Sequence, residues 1–294
     1  MLSLTIDEAL HRASFSLKKA SIDDPLIEAE ILLAFILKTD RLQLYLKKQD
    51  LLPRALYNSF LGLVKRRVKG EPVAYITGQK YFYGRLFRVD RRVLIPRPET
   101  ELVIEKSLHF AEILIKSGVS KPYILDLGTG SGVLAVTLGL ELPDAELYAV
   151  DLSPEALDLA RLNAKEYRIN EKITWLEGDY FDVLTDRAPG ATFNLIVANP
   201  PYLSADEIKN LPPGIQEYEP VEALYGGLDG LDGYRQIIGR LPPYVKTPFM
   251  LIFEIGSSQE MEVKKLLEDS GLFSEICCYP DLAGLPRVVE AFIP

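Results

Sequence analysis

The sequence predicts an α/β protein with a seven-stranded, mostly parallel, Rossmann-like sheet that ends in an antiparallel hairpin. A small N-terminal helical bundle and a β-hairpin connector precede it. Three observations carry this expectation. Strands and helices alternate from residue 121 onward, the pattern of a parallel sheet with right-handed crossovers. The last two strands are separated only by the turn Pro280 to Pro286, too short for a helical crossover, so they pair antiparallel. Up to about residue 70, apolar positions instead recur with a helical period and short loops.

Taken in order, Thr5 and Glu8 have the spacing of a capping box at the start of a first helix. Asp24-Pro25 offers an N-cap and a proline at the first helical position, ahead of Ile27, Ile31, Leu32 and Phe35. A further helix is expected from about Pro53 to Val68. Residues 1–70 thus form the bundle. Between 71 and 97 the helical period is lost, and Val73 to Ile76, Tyr81 to Tyr83, Leu86 to Val89 and Val93 to Ile95 read as short strands around Gly78, Gly84 and Asp90. After Pro96-Arg97-Pro98 a helix from Glu99 to about Lys116 opens the main domain, 98–294. Its strands are expected at Tyr123 to Leu125, Glu146 to Val150, Ile173 to Leu176, Phe193 to Val197, Phe249 to Phe253, Glu275 to Tyr279 and Arg287 to Phe292.

With 294 residues and 48% apolar content, the chain can bury a large core and a smaller one. Its longest aliphatic or aromatic run, Ile31 to Leu37, is seven residues, far below the roughly 20 needed to span a bilayer. Met1 to Glu8 lacks a basic start and apolar stretch, so no secretory signal is expected and the cytoplasm is the expected location. Cys277 and Cys278, the only cysteines, are neighbours and read as buried strand residues. The only histidines, His11 and His109, fall in helical stretches, which argues against a histidine base or a metal cluster. Net charge is -9, unevenly spread: residues 1–83 carry 13 Lys+Arg against 9 Asp+Glu, or +4, leaving 20 against 33, or -13. An acidic main domain repels a nucleic-acid backbone, so direct nucleic-acid binding is not expected and a protein partner is favoured.

The first parallel strand runs into Asp126, followed by Gly128, Thr129, Gly130, Ser131 and Gly132 ahead of an apolar helix. Glycines let a backbone turn sharply and approach a ligand. A dinucleotide fingerprint needs Gly-x-Gly-x-x-Gly, and its last position here is Val133. Asp151, nineteen residues past Gly132 at the end of the second strand, suits ribose hydroxyls. Ser153-Pro154 caps the next helix. Asp126 suits a cationic methionyl group; Asp179 can accept from an adenine amine, and Tyr180 or Phe181 can cover the adenine face. The four elements together point to S-adenosylmethionine, leaving as S-adenosylhomocysteine, with no metal.

After the fourth strand stands Asn199-Pro200-Pro201-Tyr202, at the carboxyl edge where ligands of open α/β sheets bind. An amide nitrogen is a poor nucleophile because its lone pair is delocalised. The Asn199 side-chain oxygen and the Pro200 carbonyl can hold its two N–H groups and turn the lone pair toward a methyl donor. Prolines keep the carbonyl aimed, Tyr202 offers a flat face, and Asn199 also borders the cofactor. Asn199, Pro200 and Tyr202 are the expected catalytic residues, and Pro201 joins them in binding the substrate.

From about residue 70 to the end, the chain resembles the HemK-type glutamine N5-methyltransferases of class I peptide chain release factors, built on the class I methyltransferase fold. The resemblance rests on the two motifs above. It also rests on Gly70 to Gly78, Ile95 to Glu101, Glu219-Pro220, Ala223-Leu224, Gly226 to Leu231, Tyr234-Arg235, Glu254 to Gly256 and Asp281 to Gly284. It implies that Gly128 to Gly132, Asp151 and the Asp179-Tyr180 region hold the cofactor and that Asn199 to Tyr202 hold a glutamine. That glutamine would belong to a Gly-Gly-Gln loop, with residues 1–70 helping to grip the factor. Asn194 stands where such sequences often have aspartate, and Leu285-Pro286 where a polar pair is expected. A sister group that modifies a ribosomal protein, an adenine or guanine N-methyltransferase, and a noncatalytic binding module are the alternatives. The connector and helical domain favour the release-factor branch, the acidic main domain disfavours nucleic acid, and the filled polar positions disfavour a noncatalytic module.

Overall fold

The computed structural model describes residues 4–294 apart from the Pro213 side chain; Met1 to Ser3, part of the stretch read for a leader, lie outside the described residues. The chain forms two compact units, one reaching to Gln79 and joined by Pro212–Tyr218, the other comprising Lys80–Leu211 and Glu219–Pro294.

In the first unit a short ladder pairs β1 (Leu4–Thr5) with β2 (Leu51–Leu52). Helix α1 (Ile6–Lys19) begins with the expected capping box: Glu8 N–H donates to the Thr5 hydroxyl at 3.2 Å and Thr5 N–H to the Glu8 carboxylate at 2.9 Å. Helices α2 (Pro25–Leu37), α3 (Arg41–Leu46) and α4 (Arg54–Val68) complete the bundle around Leu17, Leu32, Leu33 and Phe60. Asp24 makes no side-chain cap bond, contrary to expectation. Its backbone is left-handed (φ 49°, ψ 49°), whereas capping needs an extended residue there.

Val73–Thr77 is a short helix, α5, and not the strand its branched residues suggested. Pro72 presets the first turn, the Thr77 hydroxyl donates back to the Val73 carbonyl at 3.0 Å, and Gly78 at φ +69° ends it. Helix α11 (Pro213–Gln216) also belongs to this unit; a Cβ on Gly214 would stand 2.7 Å from the Gly70 carbonyl oxygen. That return of the chain has no sequence signal.

Strands β3 (Gln79–Phe82) and β4 (Arg85–Arg88) form the expected hairpin. Val93 to Ile95 is not a strand: Ile95 N–H is satisfied at 3.2 Å by the Glu219 carboxylate instead of a ladder. A 3-10 turn, Pro98–Thr100, leads into α6 (Glu101–Lys116). The main sheet then contains β5 (Tyr123–Leu127), β6 (Glu146–Asp151), β7 (Ile173–Glu177), β8 (Phe193–Ala198), β9 (Val245–Glu254), β10 (Glu275–Pro280) and β11 (Pro286–Ile293).

Their order is β10-β11-β9-β8-β5-β6-β7, with only β11 antiparallel to its neighbours. All seven expected strands are present. Helices α7 (Val133–Glu141), α8 (Pro154–Glu166), α9 (Asp182–Arg187), α10 (Ala205–Lys209), α12 (Asp232–Arg240) and α13 (Glu260–Asp269) connect them. Apolar clusters cover both sheet faces. Because β10 is an edge strand, Cys277 and Cys278 are half-buried instead of buried as expected. No helix among the described residues is long and apolar enough to cross a membrane.

The two departures noted in sequence have physical accounts. Asn194 is fully buried where the β8–β9 register shifts; its Oδ1 accepts from Tyr123 N–H at 3.2 Å, and its Nδ2 donates to the carbonyls of Lys246 at 3.0 Å and Pro248 at 3.3 Å. Aspartate could not make the last two bonds. Leu285 sits in a turn closed by the Asp281 carboxylate, which accepts from Ala283 and Leu285 N–H, and Pro286 begins the strand, where proline is tolerated. Asn194→Asp should lower stability by about 1–3 kcal/mol, the cost of facing buried carbonyls without a donor. An unchanged urea midpoint would contradict this reading of the amide.

Candidate active site

β5 is paired in parallel with β6 on one side and β8 on the other, so the chain reverses its direction of winding at β5. The loops after β5, β6, β7 and β8 therefore meet at one sheet edge. They border a cavity of about 700 Å³, within the usual range for small-molecule sites.

The loop after β5 is anchored from below. Gly128 and Thr129 N–H both donate to the Val150 carbonyl, at 2.9 and 3.0 Å. The Thr129 hydroxyl donates to Asp126 Oδ2 at 2.6 Å, as does Ala135 N–H at 3.1 Å. Gly128 and Gly130 have φ of +73° and +55°, and a Cβ on either would meet nothing within 4 Å, so both present bare backbone to open space. Gly132 differs: its Cβ would stand 3.0 Å from that of Ala160, so its role is close packing of α7 on α8. Thr129 and Ser131 line the cavity, and Ser131 is fixed through its carbonyl by Asn163 Nδ2 at 2.8 Å. Asp126 lies beneath the loop, 1% exposed, and does not line the cavity.

Asp151, at the end of β6, does line it. Its Oδ2 accepts from Gly130 N–H at 2.7 Å and its Oδ1 from Ser153 N–H at 2.9 Å, which fixes the carboxylate and leaves further lone pairs on each oxygen. The Ser153 hydroxyl caps α8 as expected. Asp179 and Tyr180 line the cavity after β7. Of the two aromatics considered there, Phe181 is 1% exposed and stacked on Tyr244 in the core, which leaves Tyr180 in the wall. Burial pushes the Tyr180 phenol up to about 12.

Asn199 and Pro201 border the same cavity, and no described residue hydrogen-bonds to the Asn199 carboxamide or the Pro200 carbonyl. The segment is enclosed by glycines. A Cβ on Gly226 would fall 2.3 Å from the Pro201 carbonyl oxygen, and one on Gly233 of α12 would fall 2.8 Å from Pro200 Cβ. Leu203 N–H bonds the Leu224 carbonyl and Gly226 N–H the Leu203 carbonyl, both at 2.9 Å, which tie the exit of the segment to this glycine-rich stretch. Pro200 and Tyr202 do not line the cavity. The Tyr202 ring packs toward the turn after β9, so the flat face expected of it is not presented to the cavity.

Families described as "PrmC N-terminal domain" and "Methyltransferase small domain" match residues 8–78 and 99–211. A release factor glutamine methyltransferase of Chlorobaculum tepidum is 41% identical over 278 residues, covering 94% of this chain and 92% of that protein. The protein of the same name from Bacillus anthracis is 35% identical over 290 residues, 99% of this chain and 100% of that one. The chain belongs to the release factor glutamine methyltransferase family. Among solved structures, the hMettl16 catalytic domain in complex with MAT2A 3'UTR hairpin 1 matches with a TM-score of 0.55 at 14% identity, covering 79% of this chain and 90% of that one, which supports the fold alone.

In this family member, sequence reasoning missed several wall residues: Arg97, Thr100, Tyr225 and Gln236 also line the cavity. Arg97 is held by Glu219, Nη2 to Oε1 at 2.7 Å, and the Thr100 hydroxyl donates to Glu254 Oε2 at 2.6 Å. Arg97 and Thr100 lie in Ile95 to Glu101, and Tyr225 and Gln236 lie within or next to Glu219 to Arg235, stretches whose likeness was legible while their place in the wall was not. No cluster of His, Cys, Asp or Glu suited to a metal occurs among the described residues.

Two buried carboxyls carry a cost. Burial pushes Asp126 up to about 7 against the bonds from Thr129 and Ala135, and Glu254 up to about 7 against Thr100 and Arg287. In the unfolded chain both ionise near 4. Between about pH 4 and 7 the folded state therefore holds more protons, and stability falls as pH rises through that window. The Tm of the cofactor-free protein should decline from about pH 5 to 8, and Asp126→Asn should shrink the decline. An equal decline in wild type and variant would contradict the Asp126 assignment.

Proposed function

We propose that the protein transfers a methyl group from S-adenosylmethionine to the side-chain nitrogen N5 of a glutamine, that of the Gly-Gly-Gln loop of class I peptide chain release factors. The unused hydrogen-bonding capacity of Asn199 in the cavity wall, and of the Pro200 carbonyl next to it in the chain, carries the reading. The name and near-complete coverage of the relatives support it.

The residues fit such a cofactor. Gly128 and Gly130 leave room for close backbone approach, and Asp151 is fixed with lone pairs to spare for ribose hydroxyls. Tyr180 and Asp179, in the cavity wall after β7, are the residues we assign to covering and bonding an adenine. Asp126, buried under the loop, acts by pinning Thr129 and the start of α7. S-adenosylmethionine supplies an electrophilic methyl on a sulfonium.

The protein's task is to present the acceptor. The Asn199 side-chain oxygen and Pro200 carbonyl take the two N–H groups of the glutamine amide and hold its lone pair out of conjugation. Each bond contributes roughly 1 kcal/mol net, whereas alignment of the reacting atoms can contribute about 7–11 kcal/mol. Positioning dominates, and the proton leaves after transfer without a dedicated base. We read a protein acceptor in preference to nucleic acid because the charge of residues 84–294 is -13, counted as 20 Lys+Arg against 33 Asp+Glu. The first unit is the part we assign to gripping the factor, and the cytoplasm is the compartment of that substrate.

Asn199→Ala should abolish transfer of labelled methyl to a purified release factor while cofactor affinity by calorimetry stays within a few-fold. Unaffected turnover would refute the role of Asn199. Failure of the wild-type protein to bind S-adenosylmethionine would refute the cofactor.

A further inference from the structure

Gln259 is the residue before α13, just past Glu254 to Gly256 but far in sequence from the glycine turn and from Asn199 to Tyr202, and it is 8% exposed. Its carboxamide joins three loops. Nε2 donates to the Tyr202 carbonyl at 2.9 Å and to the Gly230 carbonyl at 3.2 Å, while Oε1 accepts from Gly256 N–H at 3.0 Å. Two carbonyls on one side and an N–H on the other fix which end is nitrogen. The loops also crowd the amide: a Cβ on Gly230 would stand 2.3 Å from the Tyr202 carbonyl oxygen and 2.7 Å from Nε2, and one on Gly256 would stand 2.8 Å from Oε1. The glycines exist so that the three backbones can close on this one side chain.

Resting on the function proposed above, we propose that Gln259 is a positioning residue for methyl transfer: its carboxamide holds Asn199 to Tyr202 in the geometry that receives the acceptor nitrogen. Gln259 does not line the cavity, so a direct contact with acceptor or cofactor is no part of the role assigned to it. It acts on the far end of the segment. The start of the segment is fixed by β8, the Pro200 ring rests against Gly233, and the peptide that ends the segment is held on one side by Leu203 N–H on the Leu224 carbonyl and on the other by Nε2 on the Tyr202 carbonyl. The glycine loop after β5 has its own anchors in Val150, Asp126 and Asp151, so cofactor binding is independent of Gln259.

The test compares Gln259→Glu and Gln259→Met with wild type, using labelled methyl transfer to a purified release factor and calorimetry with S-adenosylmethionine. Glutamate keeps the shape but, when ionised, turns an oxygen toward two carbonyls; when protonated it regains one donor. Burial raises its pKa toward neutrality. Tyr202, Tyr234, Glu254 and Glu260 are the ionisable groups nearby; burial pushes the Tyr202 and Tyr234 phenols up, so both stay protonated here, and Glu254, pushed up to about 7, changes in wild type too, so the readout is the ratio of variant to wild type. We expect kcat for Gln259→Glu to be at least about tenfold lower at pH 8, with the ratio recovering several-fold by about pH 6. Gln259→Met should be low at every pH, and both should bind cofactor within about threefold of wild type.

Three results would overturn the inference: kcat within about twofold of wild type in both variants, a pH-independent ratio for Gln259→Glu, or loss of cofactor binding in both. The last would make Gln259 a general requirement of the fold. Absence of transfer by wild type itself would instead overturn the function on which the inference rests.

Discussion

The site depends on the parallel pairing of β5 with both β6 and β8. Once Leu127 is in register with Val150 on one side and Ala198 on the other, the segments that follow emerge side by side at one edge. The crossover helices diverge to cover the two faces, and the space they vacate is the cavity. A one-residue slip of β8 would turn Asn199 away and exchange which of Phe193 to Ala198, all six buried, pack on each face of the sheet. Asn194 guards that register at the opposite end of the strand through its bonds to β5 and to the carbonyls of Lys246 and Pro248.

On that frame the chemistry is done by loops whose freedom has been removed in different ways. The glycine loop after β5 is held from beneath by a carboxyl buried at the expense of its own ionisation. The Asn-Pro-Pro-Tyr segment is stiffened by proline and enclosed by glycines whose Cβ atoms would collide with it. Both arrangements keep polar groups in the wall free for a ligand while satisfying the backbone behind them. This is the preorganisation that makes alignment the main contribution.

Much of this was legible in sequence because strand periods, glycine spacing and strand-end aspartates are local. All seven sheet strands, the capping box at Thr5 and the cap at Ser153 depend on neighbours within a few residues. The misses have a common cause. Val73 to Ile76 has strand-forming residues but a proline before it and a glycine after, and short-range hydrogen bonds from Thr77 decide for helix. Val93 to Ile95 has strand composition, but a carboxylate 124 residues away takes its N–H. Whether Asp126 faces the ligand or the loop, whether Tyr180 or Phe181 enters the wall, and where the Tyr202 ring turns are settled by packing across the fold. Gln259 stood in no motif; only the convergence of three loops on its amide reveals it.

Everything above converges on a cavity that presents a glutamine amide to a methyl donor. Tandem mass spectrometry of an intact class I release factor incubated with the protein and S-adenosylmethionine, with nucleic acid and ribosomal protein as parallel acceptors, tests it most directly. The expected result is the gain of one methyl group on the side chain of the glutamine in the Gly-Gly-Gln loop. Methylation of a nucleobase or of ribosomal protein, with the release factor unmodified, would contradict it.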